Sequence, residues 1–139
     1  MNLSIKDEDL EAAEDRQSPD MRRRFILVTE ENPNLSIDYL ISLSGKLNDE
    51  ESAIRITYVP DKLLLSPDAF EHYLHSFEDD LLAAPERLAL AILDDFNNEL
   101  VPRWVQVQVQ FHSSNHQILI EDRQPIWDNA GLLARLQKF

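Results

Sequence analysis

The chain has 139 residues, 43% hydrophobic and 28% charged, with 26 acids against 13 Lys and Arg and a formal net charge of −13. That length fits one domain of ordinary globular balance, and the excess of acid disfavours nucleic acid and anionic membrane surfaces as partners. With no cysteine there are no disulfides, no thiolate metal sites and no sulfur nucleophile; two glycines, Gly45 and Gly131, are too few for a glycine-rich phosphate loop.

Residues 1–20 hold seven acids and two bases. They read as a solvated acidic arm with a short helix from Ser4, and residues 21–139 as a single domain. The arm has no apolar segment of signal-peptide length and no run approaches a membrane span, so the expected location is the cytoplasm. Arg22, Arg23 and Arg24 balance local charge. The apolar run from Phe25 to Val28 predicts a strand, and Asn32-Pro33-Asn34 is turn chemistry.

Asp38 to Ser44 alternates, with Tyr39, Ile41 and Leu43 on one face. Ala53 to Val59 alternates again, Ile54, Ile56 and Tyr58 facing away from Arg55 and Thr57. With the polar stretch 45–51 between them, the two runs predict an antiparallel hairpin. Ser66-Pro67-Asp68 starts a helix, by a capping hydroxyl and a proline at the first helical position. Its apolar stripe is Phe70, Tyr73, Leu74 and Phe77. A second helix starts near Pro85, carries Ala89, Ile92, Leu93, Phe96 and Leu100 with Leu88 at the edge, and ends at Pro102.

From Trp104 to Phe111, Val105, Val107, Val109 and Phe111 alternate with Gln106, Gln108 and Gln110. This is a strand with one dry face and one polar, uncharged face. Ser113-Ser114-Asn115 turns the chain, Gln117 to Glu121 returns as a strand, and Asp128 caps a last helix, Asn129 to Gln137, with Leu132, Leu133 and Leu136 on one side. The order predicts an α+β domain: an antiparallel four-stranded sheet with two helices on one face (ββααββ) plus a C-terminal helix. The glutamine face suits a water-filled interior or a junction between subunits.

Candidate chemical groups are few. His72 and His75 stand three apart, and His112 and His116 flank a turn, but no third ligand follows in motif spacing, so no metal site is predicted. Asp79-Asp80 reads as a solvated pair in a loop, and Asp94-Asp95 as a structural pair. Ser42 and Ser44 lack an adjacent base and read as strand residues. Trp104 reads as a core or interface anchor.

Five short motifs carry a resemblance: Glu31-Asn32-Pro33-Asn34 with Asp38-Tyr39, then Tyr58-Val59-Pro60-Asp61-Lys62, Tyr73-Leu74-His75-Ser76-Phe77, Ile92-Leu93-Asp94-Asp95-Phe96 and Pro102-Arg103-Trp104-Val105-Gln106-Val107. In this order and spacing, from about Glu31 to about Ile120, the sequence resembles the 7-cyano-7-deazaguanine reductases, the QueF-type family of the tunnelling fold. The resemblance implies a homo-oligomer joined through strand edges, with purine-like ligands between neighbouring subunits. It also implies a glutamate at the start of the second helix that holds the base; the matching position is Glu86. A carboxylate there accepts from two adjacent N–H donors and faces the positive end of the helix dipole. A dipole role alone accounts equally well for an acid at that position.

The reductases attack a nitrile with a cysteine thiolate and reduce the covalent product with NADPH. This chain has no cysteine. Lysines at the family's helix start are replaced by Asp68 and Glu71, which repel NADPH phosphates. The histidine before the family's glutamate is Pro85, and its arginine-glycine-glycine stretch reads Ser114-Asn115-His116. The resemblance therefore implies a member without reductase chemistry, with no catalytic residue and no cofactor, that binds a purine- or pterin-like ligand near Glu86. Two alternatives stay open: an enzyme of 7-deazaguanine or queuosine (tRNA modification) metabolism with altered chemistry, and a structural partner subunit of a true reductase with the acidic arm as its docking element.

Overall fold

The computed structural model describes residues 18–47, 51–136 and 139; the helix expected from Ser4 and the far end of the one expected to reach Gln137 lie outside them. Ser18 opens the first helix, α1 (Pro19–Ile26), by accepting the Met21 N–H at 3.3 Å, with Pro19 at the first helical position. Pro19 and Asp20, counted above with the arm, thus stand in a helix. Phe25 and Ile26, expected in a strand, finish the same helix, and Phe25 is 82% exposed. Ser18-Pro19-Asp20 is the same start signal as Ser66-Pro67-Asp68, and it outweighs a four-residue apolar run.

The chain continues through β1 (Thr29–Glu31), β2 (Ile41–Lys46), β3 (Ser52–Val59) and β4 (Leu63–Leu65). Three helices follow, α2 (Pro67–Leu74), α3 (Asp79–Leu82) and α4 (Pro85–Glu99), then β5 (Trp104–Phe111), β6 (His116–Arg123) and α5 (Ala130–Leu133). Strands β1 and β4 pair as a small ribbon, and the main sheet is antiparallel in the order β2-β3-β5-β6. Asp79 and Asp80, expected in a loop, form the first turn of α3, where acids meet the positive end of the helix.

Register explains the core. Ile54 sits opposite Val109, Ile56 opposite Val107 and Tyr58 opposite Val105, so one face of the two central strands is continuously apolar. Phe70, Tyr73 and Leu74 of α2 and Leu88, Ala89, Ile92 and Phe96 of α4 are buried with them. Leu88, expected at the stripe's edge, is fully buried, and Leu93 takes the edge instead. Tyr58, Tyr73, Phe77 and Phe96 meet edge to face, a geometry that adds to area burial. Gly45 lies against α2: a Cβ there would overlap Leu74 Cδ1, so the Leu74 side chain packs into the space the glycine leaves. Two hairpins around a helical pair, with both helices on one face, make this the tunnelling fold.

Two polar knots fix the periphery. In the first, Asp95 of α4 has no exposed surface and accepts Nε of Arg23 at 2.9 Å, Nε of Arg24 at 3.1 Å and the hydroxyl of Tyr73 at 2.7 Å. Arg23, 2% exposed, also reaches Asp20 at 2.8 Å and lies 5.6 Å from the Phe77 ring centre. Burial, then the charge of Asp95, pushes the Tyr73 phenol well above its ordinary range, so it stays protonated and donates.

In the second, Arg103 donates Nη1 to Asp38 at 2.6 Å, Nε to Asp61 at 3.3 Å and Nη2 to the Leu35 carbonyl at 2.7 Å. Asp38 also accepts Trp127 Nε1 at 3.0 Å and Asn129 Nδ2 at 3.1 Å. This corrects the last helix. Asn129, pinned by Asp38, caps it by accepting the Leu132 N–H, and the helix spans only Ala130–Leu133; Asp128 instead faces Arg123 at 3.8 Å.

Removing one partner of a buried ion pair strands the other charge, so Asp95→Ala is expected to lose about 3–5 kcal/mol of stability in urea unfolding; a loss under about 1 kcal/mol would mean that Arg23 is solvated. Partial burial would raise the Asp38 carboxyl, but the bonds from Asn129, Arg103 and Trp127 outweigh it and hold the group below its ordinary value. Its stabilisation is therefore full above the unfolded pKa of about 3.9 and is lost as pH falls through the lower folded value. Melting curves of wild type and Asp38→Asn should differ most near neutrality and converge in acid; a constant gap down to the acid limit would contradict this.

Candidate functional site

Helix α4 opens without a side-chain cap: Ala84 precedes it and Pro85 takes the first position. Its first-turn acid, Glu86, is 65% exposed and contacts His116, which opens β6, 39% exposed. Neutral imidazole or imidazolium, the ring donates Nε2–H to Glu86 Oε1 at 2.8 Å. The turn that delivers His116 is a short 3₁₀ segment, His112–Ser114, closed by Asn115 in the left-handed region at φ 50°, which asparagine tolerates. His116 then pairs with Phe111 across the strands, their rings edge to face at 6.5 Å.

The Glu86 carboxyl is held below its ordinary value, first by its own backbone N–H at the helix start and then by the hydrogen bond and charge of His116. It is ionised at neutral pH, and most of its side chain is open to solvent. Such a group suits a ligand edge with two adjacent N–H donors. The sequence carried no signal for His116 as a partner of Glu86, because the contact arises from the register of β5 and β6 across thirty positions.

The other candidates are placed differently. His72 and His75 share a surface cavity of about 530 Å³ with Ile26, Val28, Ser66, Asp68, Ala69 and Ser76. Among the described residues no group of three or more His, Asp or Glu is arranged to hold a metal. Ser42 accepts Arg55 Nε at 3.0 Å and the Thr57 hydroxyl at 3.5 Å; neither partner is a general base, so nothing activates it. Asp68 and Glu71 are exposed on α2, acids where a phosphate would need cations. Asp95, by contrast, is committed to the core.

The sheet face away from α2 and α4 is polar as its sequence indicates. Ser44, Arg55, Gln108 and Leu119 form one row across it, and Ser42, Thr57, Gln106 and Glu121 the next. Trp104 Nε1 bonds Glu121 on this face at 3.1 Å, its ring buried. Two grooves of about 440 and 380 Å³ run over it, the second walled by Leu133, Leu136 and Phe139. Strands β2 and β6 are the outer strands of the sheet, so each turns one edge of backbone N–H and C=O groups away from it.

Fold and site together define an α+β tunnelling-fold domain with a carboxylate at the start of its long helix and no sulfur nucleophile. The family described as QueF-like protein matches residues 51–122, more than half of the 139 residues, and the chain belongs to that family. No curated protein matches the chain. The matched segment runs from the start of β3 into β6 and holds Tyr73, Glu86, Asp95 and Arg103; Arg23, Arg24 and Asp38, which complete the two polar knots, lie outside it. No helix among the described residues is long and apolar enough to cross a membrane.

Because His116 contributes to the low Glu86 pKa, His116→Ala should raise it in a carboxyl NMR titration. The value should remain below that of an unstructured glutamate, since the bond from its own backbone N–H survives. An unchanged midpoint would show that the two side chains do not meet in solution.

Proposed function

We propose that this QueF-like protein is a cytoplasmic homo-oligomer that binds a purine- or pterin-like ligand at Glu86 and performs no nitrile reduction. The observation that carries the reading is the ionised Glu86 carboxylate, held by His116 at the uncapped start of α4 and open to a ligand. A carboxylate suits a neutral heterocycle whose N–H groups point toward it more than it suits an anion.

Glu86 lines none of the four cavities of about 270–530 Å³ described for the single chain. A neighbouring subunit would supply a second wall for a ligand resting on it. The outer edges of β2 and β6 offer the means, since open strand edges are templates for pairing with another chain. The loss of reductase chemistry follows from composition: a thiolate is the nucleophile that a nitrile adduct needs, and the chain holds no cysteine. Acids at 68 and 71 oppose the phosphates of NADPH. Membership of the QueF-like family supports a queuosine-related role, in which a binder would carry or sense an intermediate.

Differential scanning fluorimetry with guanine-class and pterin-class compounds tests the site. At about one hundred times Kd, binding adds about 2.7 kcal/mol, a rise of roughly 5–10 °C in Tm for a domain of this size. Glu86→Ala should abolish the rise while leaving the ligand-free Tm nearly unchanged. No rise with either class, or the same rise in the variant, would overturn the assignment. A single-chain mass in light scattering at micromolar concentration would overturn the oligomer.

A further inference from the structure

We propose that His116 is a positioning residue of the Glu86 site, fixing the carboxylate in its receiving orientation before a ligand arrives. The inference rests on the reading of Glu86 as a ligand contact and assigns a second residue to that site. An exposed glutamate has three side-chain torsions free, and a ligand that must order them loses affinity. At 65% exposure Glu86 would be such a residue. The Nε2–H of His116, 2.8 Å from Oε1, acts with the bond from the Glu86 backbone N–H to restrict that freedom in advance.

His116 can do so because it is itself held. It is paired in register with Phe111, which is 7% exposed and part of the core, and the two rings pack edge to face. The left-handed Asn115 turns the chain so that the first residue of β6 faces the start of α4. The core thus aims the imidazole, and the imidazole aims the carboxylate. Bonding Nε2 to a carboxylate also settles the tautomer: Nε2 carries the hydrogen, and in the neutral ring Nδ1 is a bare acceptor. The carboxylate, an acceptor only, favours an edge of adjacent N–H groups over one that presents a carbonyl oxygen.

Isothermal titration with 7-cyano-7-deazaguanine at pH 8 tests the role, on wild type, Glu86→Gln, His116→Phe and His116→Gln. Phenylalanine keeps a ring against Phe111 and removes the donor; glutamine restores an N–H donor without the ring. His116→Phe should weaken binding about tenfold, as expected for losing a pre-ordered side chain, and His116→Gln should recover to within about threefold of wild type. Melting temperatures measured alongside separate positioning from folding, because a purely structural role would track Tm and would not be rescued by an amide. If His116→Phe binds like wild type, or His116→Gln binds as weakly as His116→Phe, while Glu86→Gln has lost binding, the positioning role is wrong and the Glu86 site stands. If Glu86→Gln binds like wild type, or wild type does not bind, the Glu86 reading fails and the role of His116 fails with it. Should His116→Phe not fold, comparison of His116→Gln with His116→Ala decides in the same way.

Discussion

A carboxylate with no exposed surface sits toward the end of α4, and three side chains converge on it: two guanidinium groups from α1 and a phenol from α2. Moving a lone carboxylate into such a site costs several kcal/mol, so Asp95 tolerates burial only while Arg23, Arg24 and Tyr73 are all in place. That condition locks three helices to one another. It also explains why α1 is a helix: Arg23 and Arg24 must approach from one short rigid element that Ser18 has capped. Arg23 returns the constraint, since at 2% exposure it has no solvent to fall back on and takes Asp20 and the face of Phe77 as its remaining partners.

Helix α4 links this anchor to the candidate site. Glu86 and Asp95 are nine residues apart, and at 3.6 residues per turn that places them on opposite sides of the helix. One carboxylate is consumed by the core so that the other can face outward from a fixed axis. His116 then adds the last restraint from the sheet. Glu86 is thus held from two directions, by α4 through Asp95 and by β6 through the pairing of His116 with Phe111.

Most of the sheet and helices α2 and α4 were legible in the sequence, because their signals are local: strict alternation in Trp104–Phe111, and serine followed by proline at Ser66-Pro67, although the expected cap from the Ser66 hydroxyl does not form and Pro67 alone marks the start. Motif order also singled out Glu86 as the candidate, and the structure places it in the first turn of α4. Among the features that were not legible, three were hidden for separate reasons. Helix α1 was hidden by the apolar run Phe25–Val28, although Ser18-Pro19-Asp20 repeated a start signal read correctly elsewhere. The cap of α5 passed from Asp128 to Asn129 because Asp38, ninety-one positions away, holds the asparagine. His116 looked like a turn histidine, since its partner is set by sheet register and by nothing adjacent in the chain. Long-range polar contacts of this kind leave no periodicity to read.

The chain belongs to the QueF-like family and holds no cysteine. The most direct test is to incubate the pure protein with 7-cyano-7-deazaguanine and excess NADPH, separate bound from free compound, and identify everything recovered by mass spectrometry. The account predicts a protein-bound fraction that comes back as unaltered nitrile with no NADPH oxidised. Recovery of the amine, with matching loss of NADPH, would contradict it.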